Sequence, residues 1–277
     1  MATAATQSKE GACLFSESDS MHGMLRGGQN RFLNELNMAS EHLDYLLSFQ
    51  RVRDLCKPTL MITGLEGMAG LYSEETGYII VAPSASPGTV AHELWHAVQK
   101  SYNIWDAPSA FIEAGAYFFE ADYLFVLNRM LFKAACMNRP VTPYDMVEAD
   151  ILNRSERPYG TIIDIFLSGC KLSPVELSVY LAQLVEIMHD GMNPKSDELV
   201  KEASRLGYDS EHSAGYFGIS MALLVFAMNN FHARETANDL MTFSPTSIIS
   251  SIGVARCADS NYVRVQKVLD YLTQSSK

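Results

Sequence analysis

Positive charge is scarce in this sequence of 277 residues. It contains 21 lysines and arginines against 32 acidic residues, and its formal net charge at pH 7 is −11. Nucleic-acid binding needs clustered lysine and arginine side chains that contact phosphates, so this charge argues against a general nucleic-acid binder. It also argues, more weakly, against adhesion to an anionic membrane. We therefore expect neither nucleic acid nor membrane as a partner.

Cysteines are few and form no recognisable pattern. The five, none of them in a C-x-x-C pair, are Cys13, Cys56, Cys136, Cys170 and Cys257. An odd number of widely scattered cysteines is typical of reduced thiols in a cytosol and not of a disulfide framework. We expect each of them to be a buried structural residue.

The sequence also shows no sign of a targeting segment or a membrane-spanning segment. The N-terminus has no basic region followed by an apolar run, as a secretory signal peptide would. The longest apolar stretch, 217–228, is interrupted by Gly218 and Ser220 and is too short to cross a bilayer. These features predict a soluble, cytoplasmic protein, although export without a leader would leave no such signal.

Nearly half of the residues are apolar, 48%, which predicts a globular chain with a substantial core. The pattern predicts a flexible tail over 1–28, a core region over 29–135 and a mostly helical region over 136–277 packed on it. Within the core region we expect a helix from 30 to about 56, a strand at 59–63, a hairpin over 70–81 and helices from 87 and 108. The predicted fold class is α+β.

The most informative stretch reads His92-Glu93-Leu94-Trp95-His96. Two histidines four residues apart lie on one face of a helix, close enough to bind one metal ion. Glu93 projects to one side, where a carboxylate can accept a proton from water instead of binding the metal. This H-E-x-x-H pattern is typical of helical zinc hydrolases.

Two histidines do not hold a catalytic zinc, which usually has three protein ligands. Glu113 is the preferred third ligand, because it follows on a helix able to pack antiparallel to the first. Gly115 and Ala116 beside it would permit close approach of the two helices. Glu120 shares its face and is the alternative ligand, and Tyr117 lies between the two glutamates, where it can hydrogen-bond a ligand or a substrate oxygen.

The stretch His-Glu-Leu-Trp-His-Ala-Val-Gln, followed by Glu-Ala-Gly-Ala, resembles the gluzincin branch of zinc metallopeptidases. It is most similar to a group of metallopeptidase domains whose helices read HELxHAxQ and then EAxA. The likeness covers roughly residues 30 to 130 and is specific at 89–99 and 113–116. The sequence departs from that pattern at Trp95 and at Gly115, where an acidic residue is common.

This resemblance implies a minimal gluzincin-like zincin core: a helix, a small mixed sheet, the HExxH helix and a glutamate helix. It also implies a hydrolase, specifically a zinc-dependent protease acting on peptide or protein substrates. His92, His96 and Glu113 would bind zinc, and Glu93 would be the general base for a zinc-activated water. The strand 78–81, upstream of the metal helix, would act as an edge strand that pairs with the peptide.

Two other functions stay open from the sequence. One is a degenerate zincin that serves as a zinc-stabilised protein-interaction module, and the other is a zinc hydrolase of a non-peptide bond. The candidate donors to a developing oxyanion are Tyr117, Tyr159, His212 and Tyr216, although a helix-cap or surface role is favoured for His212. Trp95 and Phe111 suggest an apolar wall near the site. His42 is expected at the surface, and Asp122 is expected there or on a functional face.

Overall fold

A computed structural model describes residues 13–15, 29–47, 58–102, 109–136, 159–170, 173–189, 210–242 and 259–275. It is mostly helical with a small mixed sheet, which confirms the α+β class. Most of the predicted tail lies outside these residues. Within the tail segment, three residues form a strand. The strands are β1 Cys13–Phe15, β2 Thr59–Ile62, β3 Gly70–Ser73 and β4 Tyr78–Val81.

Eight helices lie in the described parts of the chain, and together with the sheet they share a single cluster of buried apolar residues. Their bounds are α1 Gln29–Leu47, α2 Thr89–Ser101, α3 Ser109–Cys136, α4 Tyr159–Cys170, α5 Pro174–His189, α6 Ser210–Met228, α7 Ala233–Thr242 and α8 Asp259–Gln274. None of these helices is long and apolar enough to cross a membrane.

The sheet has the strand order β1-β2-β4-β3. The predicted hairpin is confirmed: β3 and β4 pair antiparallel, and Gly77, with φ of 70°, closes the turn by donating to the Ser73 carbonyl at 2.8 Å. The prediction that β4 is an edge strand is wrong, because β2 pairs parallel to its other side, with Leu60 opposite Ile79. Among the described strands, the outer strand that contacts α2 is β3 instead.

Helix α2 begins two residues later than predicted, and its cap comes from a distant part of the chain. Gly88 precedes the helix with φ of 98°, and no side chain from its own segment caps the helix. The Glu35 carboxylate on α1 accepts the Gly88 N–H at 2.6 Å and also bonds the Val90 backbone. Glu35 thus satisfies N–H groups that the first turn of a helix leaves unpaired.

The buried position of Glu35 leads to a prediction about pH. Burial raises its pKa from 4.5 to about 7, against the opposing effects of the Gly88 N–H and Arg31, and with a smaller rise from Glu120. The folded protein therefore keeps a proton that the unfolded chain releases between those two values. This contribution to the free energy of unfolding is fully present below pH 4.5 and falls as pH rises to about 7.

Glu35→Gln removes this titration. The free energy of unfolding of the natural protein, minus that of the variant, should fall by about 2.5 kcal/mol between pH 5 and pH 8. Urea denaturation of both proteins at the two pH values measures the difference, in which titrations common to both cancel. A difference that does not change with pH would contradict the assignment.

Helices α2 and α3 pack antiparallel, as the pairing of their residues shows. Gly88 lies beside Glu120, and Gln99 contacts Ile112 at the opposite end. Between these contacts the fully buried Trp95 indole lies over Gly115, where an added Cβ would be 2.2 Å from its Nε1. Trp95 and Gly115, the two positions where the sequence departs from the metallopeptidase pattern it resembles, are therefore in contact with each other. The large indole occupies the space that the glycine leaves.

Gly115→Ala is expected to destabilise the protein by roughly 1–3 kcal/mol, because overpacking at a helix contact forces side chains from their rotamers. An exposed helical glycine would instead gain about 1 kcal/mol from the same change. Thermal or urea denaturation measures the loss, and Trp95→Leu should relieve much of it. Gly64→Ala is the matched control, because a Cβ there meets nothing within 4 Å. Unchanged stability in Gly115→Ala would refute the contact.

The helices after residue 158 continue the same core. Helix α6 makes the most extensive contact of any element with α3, and α5, α7 and α8 pack around it. Helix α6 ends at Met228, and α7 begins at Ala233. Asn230 and Phe231 have φ of 55° and 63°, and the Phe231 N–H bonds back to the Phe226 carbonyl at 2.9 Å.

The expectation of a surface His42 is also wrong. His42 and Asp122 are both completely buried, and His42 Nε2 lies 2.9 Å from Asp122 Oδ2. The His42 ring stacks on Phe119 with 5.7 Å between ring centroids. A buried carboxylate needs a partner. The pair of His42 and Asp122 joins α1 to α3.

Candidate metal centre

Three predicted ligands converge where α2 meets the beginning of α3. His92 Nε2 lies 3.4 Å from one carboxylate oxygen of Glu113, and His96 Nε2 lies 3.7 Å from the other. One ligand atom from each residue lies within 4.8 Å of the others. The histidines share a face because they are one turn apart, and Glu113 reaches them from the antiparallel helix.

The spacing of these atoms fits a shared metal ion better than direct hydrogen bonds. Both distances exceed the usual N–H···O range of about 2.7–3.2 Å. Ligand atoms bound tetrahedrally to zinc at about 2.0–2.2 Å are themselves about 3.4 Å apart. Two imidazoles and one carboxylate are also a donor set that catalytic zinc sites use. The residues present therefore fit zinc.

The other ring nitrogens of the two histidines are held by separate partners. His92 Nδ1 lies 3.1 Å from a Glu120 oxygen, and His96 Nδ1 lies 3.0 Å from Gln99 Oε1. The Gln99 amide in turn donates to the Ile112 carbonyl at 3.1 Å. When each Nδ1 donates its hydrogen outward, each Nε2 lone pair faces Glu113, which is the orientation that metal-binding histidines need. Glu120 thus contacts the side of His92 remote from Glu113.

The charges at the site favour a cation. Burial opposes the charged form of His92, but the Glu113 and Glu120 carboxylates beside its two ring nitrogens outweigh burial and raise its pKa well above 6.5. Burial and the neighbouring His92 lower the pKa of His96 to about 4. For Glu113, the nearby His92 outweighs the effect of burial and lowers the pKa. Two carboxylates therefore face one positive charge, which a divalent cation can replace with release of the proton.

Glu93 lies beside the group of His92, His96 and Glu113 and is not part of it. The residue is only 7% exposed, and its carboxylate is directed toward β3, where the Tyr72 backbone bonds it and a Cβ at Gly70 would lie 2.9 Å from its Oε1. Gly70 is required here, because any side chain would displace the carboxylate. Burial raises the pKa of Glu93 to about 7, against a lowering by His92. A carboxyl of this kind can take and return a proton at neutral pH.

Tyr117 lies against His92. Its ring meets the His92 ring edge-on, with 4.8 Å between centroids. Its hydroxyl approaches α6 so closely that a Cβ at Gly215 would lie 3.1 Å from it. Of the other candidate oxyanion donors, Tyr216 lines a cavity together with Tyr117, whereas Tyr159 stacks on Phe231. The side chain of His212 lies outside the described residues.

A cavity of about 380 Å³ opens beside Glu93. The predicted apolar wall of Trp95 and Phe111 is wrong, because both are buried in helix contacts and neither is among the described lining residues. Helix α4 contributes Ile165 and Phe166, which the sequence did not single out, and α6 contributes the predicted candidate Tyr216. The cavity is lined by Met68, Ala69, Gly70, Ser86, Thr89, His92, Glu93, Tyr117, Glu120, Ala121, Leu124, Ile165, Phe166, Gly215 and Tyr216.

No protein-family model, curated protein or solved structure matches this chain.

Proposed function

We propose that the protein is a zinc-dependent metallopeptidase that hydrolyses peptide bonds. The observation that carries the proposal is the convergence of His92 Nε2, His96 Nε2 and the Glu113 carboxylate, with Glu93 adjacent but free of the ligand set. The resemblance of the two helical motifs to gluzincin metallopeptidases points to the same chemistry.

His92, His96 and Glu113 would hold the zinc ion. Bound there, zinc lowers the pKa of a water molecule to about 7 and polarises the carbonyl of the scissile bond. Glu120 and Gln99 would keep the two imidazoles in the tautomer and orientation that this binding requires, through the bonds to each Nδ1.

Glu93 would act as the general base. Its carboxylate takes a proton from the water as the water oxygen attacks the carbonyl carbon, and it returns that proton to the amine nitrogen as the C–N bond breaks. Tyr117, whose ring lies against His92, would donate its hydroxyl hydrogen to the oxyanion that develops on the carbonyl oxygen.

The substrate peptide would pair with β3, in place of the strand first expected to do so. β3 is at the edge of the sheet, and its backbone at Tyr72 already contacts Glu93. An extended peptide that adds to such an edge gains main-chain hydrogen bonds and lies along the site. Strand addition at β3 would thus bring the scissile bond beside Glu93 and His92.

Access to the cluster favours catalysis over a purely structural zinc site. Structural zinc sites are closed by four protein ligands, whereas catalytic sites have three and keep a position for water. The described residues provide three ligands here, and the cavity reaches His92 and Glu93. An interaction module stabilised by zinc would need neither the cavity nor a buried carboxylate beside the metal.

A peptide-cleavage assay tests the proposal. Zinc-reconstituted protein is incubated with a mixture of unstructured peptides, and the new termini are identified by mass spectrometry. We expect cleavage that requires zinc and is lost in Glu93→Gln. Zinc-loaded protein that cleaves no peptide would refute the peptidase and leave a non-peptide hydrolase or an interaction module.

A further inference from the structure

Helix α1 is joined to both of the helices that carry the metal residues. Glu35 accepts the Gly88 N–H at 2.6 Å, where α2 begins, and it also bonds the Val90 backbone. Two turns further along α1, the buried His42 lies 2.9 Å from Asp122 on α3. Helix α1 therefore holds α2 and α3 through buried polar contacts, although it contributes no ligand of its own.

Gly88 also contacts the side chain that holds His92. A Cβ at Gly88 would lie 3.0 Å from Glu120 Cγ and 3.1 Å from Glu120 Oε1, so any side chain there would press on this carboxylate. The other carboxylate oxygen, Oε2, lies 3.1 Å from His92 Nδ1. The Glu120 carboxylate thus lies between Gly88 and the His92 imidazole, and a movement of Gly88 would change the space that it occupies.

The turn that contains Gly88 is held from α1 at two points. Besides the bond from Glu35 to Gly88, the Arg31 guanidinium donates to the Ala85 carbonyl three residues earlier. Gly88 has φ of 98° and no side chain with which to cap α2. Because glycine has more conformational freedom than any other residue, the position of this turn depends on those bonds.

We infer that Glu35 is a positioning residue of the metal centre, which acts through Gly88 and Glu120 on the imidazole of His92. Without the bond from Glu35, the turn can move, and Glu120 is no longer kept beside His92 Nδ1. A partner that bonds a metal ligand directly contributes about 10–100-fold to metal affinity, so a residue one step further away should contribute less, about 3–10-fold. The inference rests on the zinc site of the proposed function and not on peptide cleavage.

Zinc affinity of the full-length protein, measured by competition with a chromophoric chelator, tests the inference. Glu35→Met fills the same buried space without an oxygen for the Gly88 N–H, and it should weaken zinc binding by about 3–10-fold. Glu35→Gln keeps an accepting oxygen and should return the affinity to within about 2-fold of the natural value. Glu35→Ala replaces the methionine variant if that variant does not fold, with the same expected loss.

The matched control removes a carboxylate that caps a different helix. Glu176 accepts the Ser173 N–H at 2.9 Å at the start of α5, which carries none of the metal residues. Glu176→Met therefore loses a helix cap, as Glu35→Met does, without a contact to Glu120. It should leave zinc affinity unchanged, and urea denaturation of both variants records how much stability each one loses.

A double-mutant cycle separates positioning through Glu120 from a general loss of stability. In a protein that already carries Glu120→Ala, Glu35→Met should have no further effect on zinc affinity, because the side chain through which Glu35 acts is absent. If Glu35 only stabilised the fold, its replacement would weaken zinc binding by the same factor with and without Glu120.

The possible results separate this inference from the proposed function. Natural affinity in Glu35→Met, an equal loss in Glu35→Gln or in Glu176→Met, or the same loss with and without Glu120 would overturn the inference. A natural protein that binds no zinc would overturn it together with the metal centre. The expected zinc affinities without cleavage of any peptide would support the inference and refute the peptidase. Peptide cleavage together with natural zinc affinity in Glu35→Met would do the reverse.

Discussion

Glu93→Gln is expected to lower the rate of peptide hydrolysis by about 10²–10⁴-fold while the protein keeps its zinc. The glutamine has the same shape as Glu93 and can still accept the Tyr72 backbone N–H, so the contact with β3 is preserved. It cannot take a proton from water. The residues that hold the metal are untouched, since Glu93 lies beside His92 and outside the ligand group.

The measurement compares kcat on one cleaved peptide, together with zinc content, for the natural protein and the variant. Glu74→Gln is the control, because Glu74 is exposed in the hairpin loop, where it pairs with Lys100. It should change neither quantity. A Glu93→Gln protein with the natural rate would exclude Glu93 as the base. A protein that lost rate and zinc together would make Glu93 a ligand.

Glu113→Ala and Glu120→Ala are expected to have different effects on zinc binding. A carboxylate oxygen of Glu113 lies beside the Nε2 atoms of His92 and His96, as a third zinc ligand would. Removal of Glu113 should leave two ligands, which do not hold zinc stably. Glu120 holds the remote nitrogen of His92, so its removal should weaken zinc affinity by about 10–100-fold without abolishing binding.

Competition with a chromophoric chelator measures both affinities. The contrast is informative because the two glutamates lie two turns apart on α3 and have the same chemistry. Zinc retained at natural affinity in Glu113→Ala but lost in Glu120→Ala would reverse their roles. Equal losses in both would indicate a ligand geometry different from the one in this structure.

Local patterns explain the features that could be predicted from the sequence. The β3–β4 hairpin is encoded by a short polar turn that ends in Gly77, between residues suited to strands. The four-residue spacing of His92 and His96 places both on one face of α2 wherever that helix begins. Glu113 could be proposed because a short connection favours antiparallel packing of the next helix.

Contacts between distant residues explain what could not be predicted. Glu35 caps α2 from 53 positions away, and no local signal at Ser86 or Gly88 reveals it. The burial of His42 depends on Asp122, 80 residues later. The position of β4 inside the sheet depends on its pairing with β2, because the sequence of a strand does not specify which neighbours flank it.

The helices after residue 158 have few sequence features that indicate how they pack. Residues 217–227 of helix α6 are buried and, apart from Gly218 and Ser220, apolar, so this part of the helix has no polar face that indicates its orientation. Its end involves Phe231, a bulky residue with positive φ that no turn preference predicts. The approach of Gly215 to Tyr117 therefore became visible only in the folded chain.

The zinc content of the purified natural protein, determined by mass spectrometry alongside His96→Ala, tests the central claim most directly. The convergence of His92, His96 and Glu113 predicts about one zinc per chain, which is lost when the His96 imidazole is removed. A protein that binds no zinc after reconstitution, or that binds it equally well in His96→Ala, would contradict the metal centre and with it the proposed peptidase.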